Sequence, residues 1–155
     1  MSMIDELPVG LRLSILQRTF KSLLNERVET LGLTGVQFAV LQELRRLETS
    51  EPPEINQRDL ERVARLTHPT MTEILKHLEK KGFIHCRTGA ADKRFKAISS
   101  TEKTRLLAGE LDHMDDDIFR ELTREIPDAQ VEIFLNVMNH ILQNTRKEQE
   151  RNEHK

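Results

Sequence analysis

Two groups of side chains have the types and spacing to do chemistry, and in both the chemistry is recognition of a polar, anionic surface rather than bond making. The first is Asp92-Lys93-Arg94, which follows Thr88-Gly89-Ala90-Ala91. Small, turn-forming residues of this kind make a hairpin tip. A tip ending on two cations can reach phosphates or enter a minor groove, whose negative potential favours arginine. The second group is Thr67, His68, Pro69, Thr70, Glu73, Lys76 and His77. Among them Met71, Ile74, Leu75 and Leu78 recur at helical spacing, so the polar set is the outward face of an amphipathic helix and the apolar set its inward face. An outward face of this composition is what a recognition helix presents to a major groove, with Thr70 and Lys76 the first candidates for direct contact.

The elements that must hold these groups are legible on either side. Asn56 opens a short helix to Ala64 with Leu60, Val63 and Ala64 on one face, and a break at Leu66-Thr67 leads into the recognition helix. Thr67 is placed to cap that helix, Pro69 falls in its first turn, and Gly82 ends it. Phe83–Arg87 and Phe95–Ser99 have the length and alternation of paired strands. Helix, turn, helix and hairpin in this order predict a mainly α fold with a small β-wing, a winged helix-turn-helix over residues 34–100 that binds double-stranded DNA. Upstream, Thr34 caps a helix from Gly35 to Leu47, and Thr49-Ser50-Glu51-Pro52-Pro53 is a connecting loop.

Long helices flank this head. Leu13, Leu16, Phe20, Leu23, Leu24, Val28 and Leu31 form one stripe, stopped near Gly32. Leu107, Leu111, Met114, Ile118, Leu122 and Ile126 form a second. Beyond Pro127 a third runs through Val131, Phe134, Leu135, Met138, Ile141 and Leu142. Such faces are stable only when packed, and they exceed what a small winged-helix core can cover. The expectation is a single domain over 1–155 in which residues 1–32 and 101–148 are dimerisation helices and 149–155 a frayed tail. The alternative is an intramolecular helical bundle. A two-fold homodimer would match a pseudo-palindromic operator with half-sites about 34 Å apart.

Composition agrees. The chain has 155 residues, of which 37% are hydrophobic and 32% charged, enough for one domain with a core. Residues 54–105 hold 12 Lys+Arg against 7 Asp+Glu, residues 106–155 hold 6 against 12, and residues 1–53 hold 6 against 7. The basic excess therefore sits in the reading head, where it attracts phosphates, and the acidic end belongs away from a duplex. No apolar run has the length of a membrane span, no leader segment is evident, and one cysteine makes no disulfide framework. These features place the protein in the cytoplasm with no membrane partner.

The chain resembles the MarR family of bacterial transcription regulators. The resemblance rests on the pattern Thr34-x-x-Gln37-Phe38-x-Val40-Leu41-x-x-Leu44, on Leu78-Glu79-Lys80-Lys81-Gly82-Phe83-Ile84, and on Asp92-Lys93-Arg94 followed by Ser99-Ser100-Thr101-Glu102-Lys103. It covers nearly the whole chain. It implies a homodimeric repressor in which Asp92 orients Arg94. It also implies release from DNA when a small aromatic effector binds between the dimer helices and the head. Phe20, Leu24, Phe38 and Leu41 are candidate lining residues, although plain core is the simpler reading of each. One departure is Glu73, where many members carry a basic residue. An acid there either accepts from cytosine N4 or pairs with His77 one turn on.

Other classes are weaker. His113 with Asp112 and Asp116 shares a helical face, but a solvated acidic surface explains that run and no metal is expected. No cofactor is expected either. Cys86 lies between His85 and Arg87, cations that would lower a thiol pKa, so a redox-responsive regulator is one alternative, against which stands a small packed residue. No Gly-rich phosphate loop or nucleophile elbow is present, which argues against an enzyme. A winged helix serving only as a protein-interaction module would need no cationic tip.

Overall fold

The structure, a computed structural model, describes residues 3–50, 54–89 and 94–153. After a 3₁₀ turn at Met3–Glu6 come α1 (Val9–Glu29), α2 (Gly35–Thr49), α3 (Gln57–Ala64), α4 (His68–Lys80), β1 (Ile84–Thr88), β2 (Lys96–Ser100), α5 (Glu102–Leu106), α6 (Ala108–Thr123) and α7 (Asp128–Glu153). They fall into two compact units, Met1–Ile118 and Phe119–Lys155. The mainly α class with a two-stranded wing is as expected from the sequence.

In the first unit α2 is the central element, packed against α1, α3, α4 and β2. It starts where Thr34 predicts. The Thr34 hydroxyl accepts from the Gln37 N–H (3.2 Å) and the Gln37 side chain accepts from the Thr34 N–H (3.2 Å), so each end of the box satisfies an otherwise orphaned donor. Phe38, Val40, Leu41 and Leu44 are buried along it. Asn56 opens α3 in the same way with Asp59. The turn from α3 into α4 is made by Arg65 at φ 53°, a left-handed conformation without glycine's freedom.

α4 is two-faced, as its periodicity requires. Met71, Ile74, Leu75 and Leu78 are buried, and full burial of each such side chain is worth about 1.5–3 kcal/mol. Its end is a Schellman turn on Gly82 at φ 78°, with the Phe83 N–H donating to the Leu78 carbonyl at 2.9 Å. The strands begin one residue later than periodicity indicates, because Phe83 belongs to this turn and is fully buried beneath it. β1 and β2 are antiparallel, with Ile84 opposite Ser100 and Thr88 opposite Lys96. Ile98 also donates to the Ile55 carbonyl at 2.8 Å, which ties the chain ahead of α3 to the wing.

Beyond β2 a short helix precedes the expected long one. Thr101 caps the short α5, the chain bends at Leu107, and α6 then begins. The polar residues of this corner are all used. Thr101 and Thr104 hydroxyls donate to the Gly82 and Phe83 carbonyls, each at 2.6 Å, and Glu48 accepts from both the N–H and the hydroxyl of Ser100 at 2.7 Å. α6 buries Leu111, Met114 and Ile118. It is fastened to α2 by a two-pronged Arg45–Asp112 pair at 2.6 and 3.0 Å and by Gln42 donating to the Leu111 carbonyl. The stripe of α1 is covered only towards its end: Val28 is buried, Phe20, Leu23, Leu24 and Leu31 are half-buried, and Leu13 and Leu16 are exposed.

In the second unit Phe119 and Phe134 stack with ring centroids 6.2 Å apart. Along α7, Val131 and Leu135 are half-buried. Ile133, Phe134, Val137, Met138, Ile141 and Leu142 are exposed in two adjacent i, i+4 rows. The expected frayed tail is instead helical through Glu153. No helix among the described residues is long and apolar enough to cross a membrane.

Candidate nucleic-acid interface

The outward side of α4 carries His68, Pro69, Thr70, Glu73, Lys76 and His77, all exposed, over the buried inner face. Thr67 stands at the N-cap position but does not cap. Its hydroxyl shares a 2.9 Å hydrogen bond with the Thr70 hydroxyl, and no side-chain bond reaches the helix N–H groups. Pro69 occupies the first turn, as expected. The Glu73–His77 pair that i, i+4 spacing allows does not form: neither side chain has a partner among the described residues, which leaves the Glu73 carboxylate open as an acceptor.

Sequence reasoning missed the cluster that anchors the start of α4. Gln57 on α3 donates from its amide nitrogen to Glu61 (2.8 Å), to the Thr72 hydroxyl (2.8 Å) and to the His68 carbonyl (3.2 Å). Thr72 in turn donates to that carbonyl at 2.9 Å, and His68 Nδ1 lies 2.7 Å from Glu61 Oε1. The hydrogen bond from Gln57, joined by those from His68, holds the Glu61 carboxyl below its ordinary range. The i, i+4 pair Gln57 and Glu61 was visible in the sequence, but nothing there said that its partners lay on the next helix.

Arg94 is exposed and lines a cavity of about 490 Å³ between α3, α4 and the wing, together with Arg58, Lys76, Glu79 and Lys96. Arg58 lies over the Phe95 ring at 5.2 Å, so α3 and the wing base are joined by a cation–π contact. Asp92 and Lys93 lie outside the described residues, as does the expected Asp92–Arg94 pairing. Cys86 also lines this cavity, and here the sequence expectation is corrected. Burial first, then the charge of the Glu79 carboxylate, which accepts from the Cys86 N–H at 3.1 Å, push its thiol pKa up rather than down. His85 and Arg87, next in sequence, point to the opposite face of the strand. A protonated, half-buried thiol is a poor nucleophile.

Of the effector candidates, Phe20, Leu24 and Phe38 meet in a second cavity of about 640 Å³ between α1, α2 and the end of α3. Leu41 does not line it. One helical turn from Phe38, it is fully buried in the core. Asp115 also borders this cavity, and partial withdrawal from water together with the neighbouring Asp116 raises its carboxyl pKa. Among the described residues no group of three or more His, Cys, Asp or Glu side chains is placed to hold a metal ion.

A helix-turn-helix whose second helix is exposed along one face and followed by a two-stranded hairpin defines a winged-helix protein. Residues 31–94 match the model of the MarR family. The fold is shared with solved members. The reduced form of MarR from E. coli is 24% identical, with 88% of this chain and 97% of that chain covered at a TM-score of 0.75. A mutant MarR from E. coli complexed with operator DNA is 23% identical over 92% and 99% of the two chains, with a TM-score of 0.70. MepR, a transcription regulator of the Staphylococcus aureus multidrug efflux pump MepA, is 19% identical over 89% and 98%, with a TM-score of 0.74.

Proposed function

We propose that this chain binds double-stranded DNA in a sequence-specific manner as a homodimeric repressor, relieved by a small aromatic ligand. The observation that carries the reading is α4 itself, a helix with a buried inner face and an outer face on which Thr70, Glu73, Lys76 and His77 stand exposed. It sits in the one segment with a strong cationic excess. Thr67, His68, Pro69, Thr70, Glu73, Lys76 and His77 are the groove-facing set. Arg94, oriented by Asp92 and assisted by Lys93, is the wing contact to phosphate or minor groove.

A second copy of the chain is the occupant proposed for the exposed apolar faces at both ends. The rows Ile133, Val137, Ile141 and Phe134, Met138, Leu142 on α7, with Leu13 and Leu16 on α1, are apolar surface of the kind that marks an interface. The solved relative in complex with operator DNA supports the duplex as partner. The 640 Å³ cavity at Phe20, Leu24 and Phe38 is of a size and lining suited to a small aromatic molecule. A ligand that fits it only when the heads are displaced would lower DNA affinity by population shift.

Sedimentation of the purified protein, followed by footprinting on duplex from its own upstream region, tests the reading. A dimer protecting two half-sites about one helical turn apart is the expected result. A stable monomer, or a dimer that protects no sequence at low salt, would contradict it.

A further inference from the structure

The cluster on α3 does more than tether α4, because it fixes the hydrogen-bonding character of an exposed ring on the groove-facing side. His68 is the first residue of α4 and its side chain is 72% exposed. Every hydrogen bond its ring makes goes through Nδ1, and Nε2 has no partner among the described residues. Glu61 Oε1, 2.7 Å from Nδ1, belongs to a carboxylate and can only accept, so Nδ1 carries the hydrogen. The Gln57 amide nitrogen, 3.1 Å from Nδ1, is itself a donor whose two hydrogens are shared among Glu61, Thr72 and the His68 carbonyl. It can therefore act on the ring only by holding Glu61 in place.

We propose that Gln57 and Glu61 are positioning residues which lock the neutral His68 ring with its hydrogen on Nδ1, so that Nε2 reads a base edge as an acceptor and, once protonated, as a donor. The inference rests on the DNA-binding reading above. Its consequence follows from the major-groove pattern of the bases. A neutral Nε2 takes a hydrogen from the cytosine N4 amino group, whereas an imidazolium gives one to guanine N7 or O6. Adenine offers both an amino group and N7, so the contrast between cytosine and guanine is the discriminating one. The charged or titratable groups around the ring are Glu61 and Arg58 on α3, Lys76 and Glu79 on α4, Cys86 on β1, and Arg94 and Lys96 of the wing. All but Glu61 line the same cavity as His68.

Selection of binding sites from a randomised duplex pool, with the full-length protein at about pH 8 and about pH 5.5, tests this across the range in which histidine titrates. Wild type should enrich a consensus in which one position per half-site changes from cytosine at the higher pH to guanine at the lower. The change should be roughly fivefold or more, the scale of one hydrogen bond to a base. Glu61→Gln, whose amide can donate or accept and so releases the tautomer, should reduce that discrimination to within about twofold while the rest of the consensus stands. Gln57→Ala should act in the same direction, and His68→Ala should abolish the preference at that position alone. A purely structural role for Glu61 would lower affinity for all sequences alike. A wild-type consensus with the same base at every position at both pH values, or a pH switch that survives in Glu61→Gln, overturns the inference. Failure of the wild type to enrich any sequence overturns the DNA reading and this inference with it.

Discussion

The reading head and the terminal helices are built from similar apolar stripes, yet they end in opposite states. Around α4 each apolar side chain the periodicity points inward is buried, and the polar groups at the corners of the head are matched: Thr34 with Gln37, Asn56 with Asp59, Ser100 with Glu48, Thr101 and Thr104 with the carbonyls after α4. On α7 the same kind of stripe leaves Ile133, Phe134, Val137, Met138, Ile141 and Leu142 exposed. The head is complete in itself and presents one polar face on a packed core. The ends leave apolar faces open, and in the proposed dimer a second copy covers them.

Substitutions that separate the two regions give the comparison its test. The largest effect belongs to the head. Phe83→Ala empties a fully buried site beneath the Gly82 turn and should lower stability by about 3–5 kcal/mol in urea unfolding, whatever the protein concentration. Next come the ends: Val137→Glu with Ile141→Glu should convert dimer to monomer in sedimentation without unfolding the chain. It should also weaken operator binding by roughly a hundredfold, since the second half-site is then no longer tethered. A monomer that binds the full operator as tightly as wild type would break the comparison. Asn56→Ala removes the acceptor that opens α3 and should cost about 1 kcal/mol with no change in oligomeric state.

The smallest effect is one of pH, at the fastening between α2 and α6. Hydrogen bonds and charge from Arg45 hold the Asp112 carboxyl below its ordinary 3.8. A folded-state pKa below the unfolded one means that the contribution is present above 3.8 and is lost as pH falls through the lowered folded value. Asp112 is half-exposed, so solvent screens the gain and the effect is modest. Acid unfolding midpoints check it: Asp112→Asn should be less stable than wild type at neutral pH and should lose less on acidification.

Much of this was legible in the chain, for reasons that are local. The faces of α4, the caps at Thr34 and Asn56 and the glycine ends at Gly32 and Gly82 depend on residues within a few positions of one another, and all are found as read. What escaped depends on which elements meet. Strand alternation turns His85 and Arg87, the neighbours of Cys86 in sequence, to the other face, and the carboxylate that reaches its N–H is that of Glu79 on α4. Thr67 looked like a cap and instead bonds Thr70. The short α5 carries no apolar stripe of its own, although Gly109 stands just past the bend at Leu107, and Leu41 shared Phe38's spacing yet faces the core rather than the cavity. The links between Gln57, Glu61, His68 and Thr72 required knowing how α3 crosses α4.

The central claim is that the exposed face of α4 and the wing arginine together bind duplex DNA. Titration of duplex from the protein's own upstream region with wild type and Arg94→Ala, across a salt series, tests it most directly. Wild-type affinity should fall steeply as salt rises, and Arg94→Ala should bind at least tenfold more weakly as a folded dimer, on the ~1–3 kcal/mol scale of a specific contact. Binding that is insensitive to salt, or an Arg94→Ala protein indistinguishable from wild type, would contradict the account.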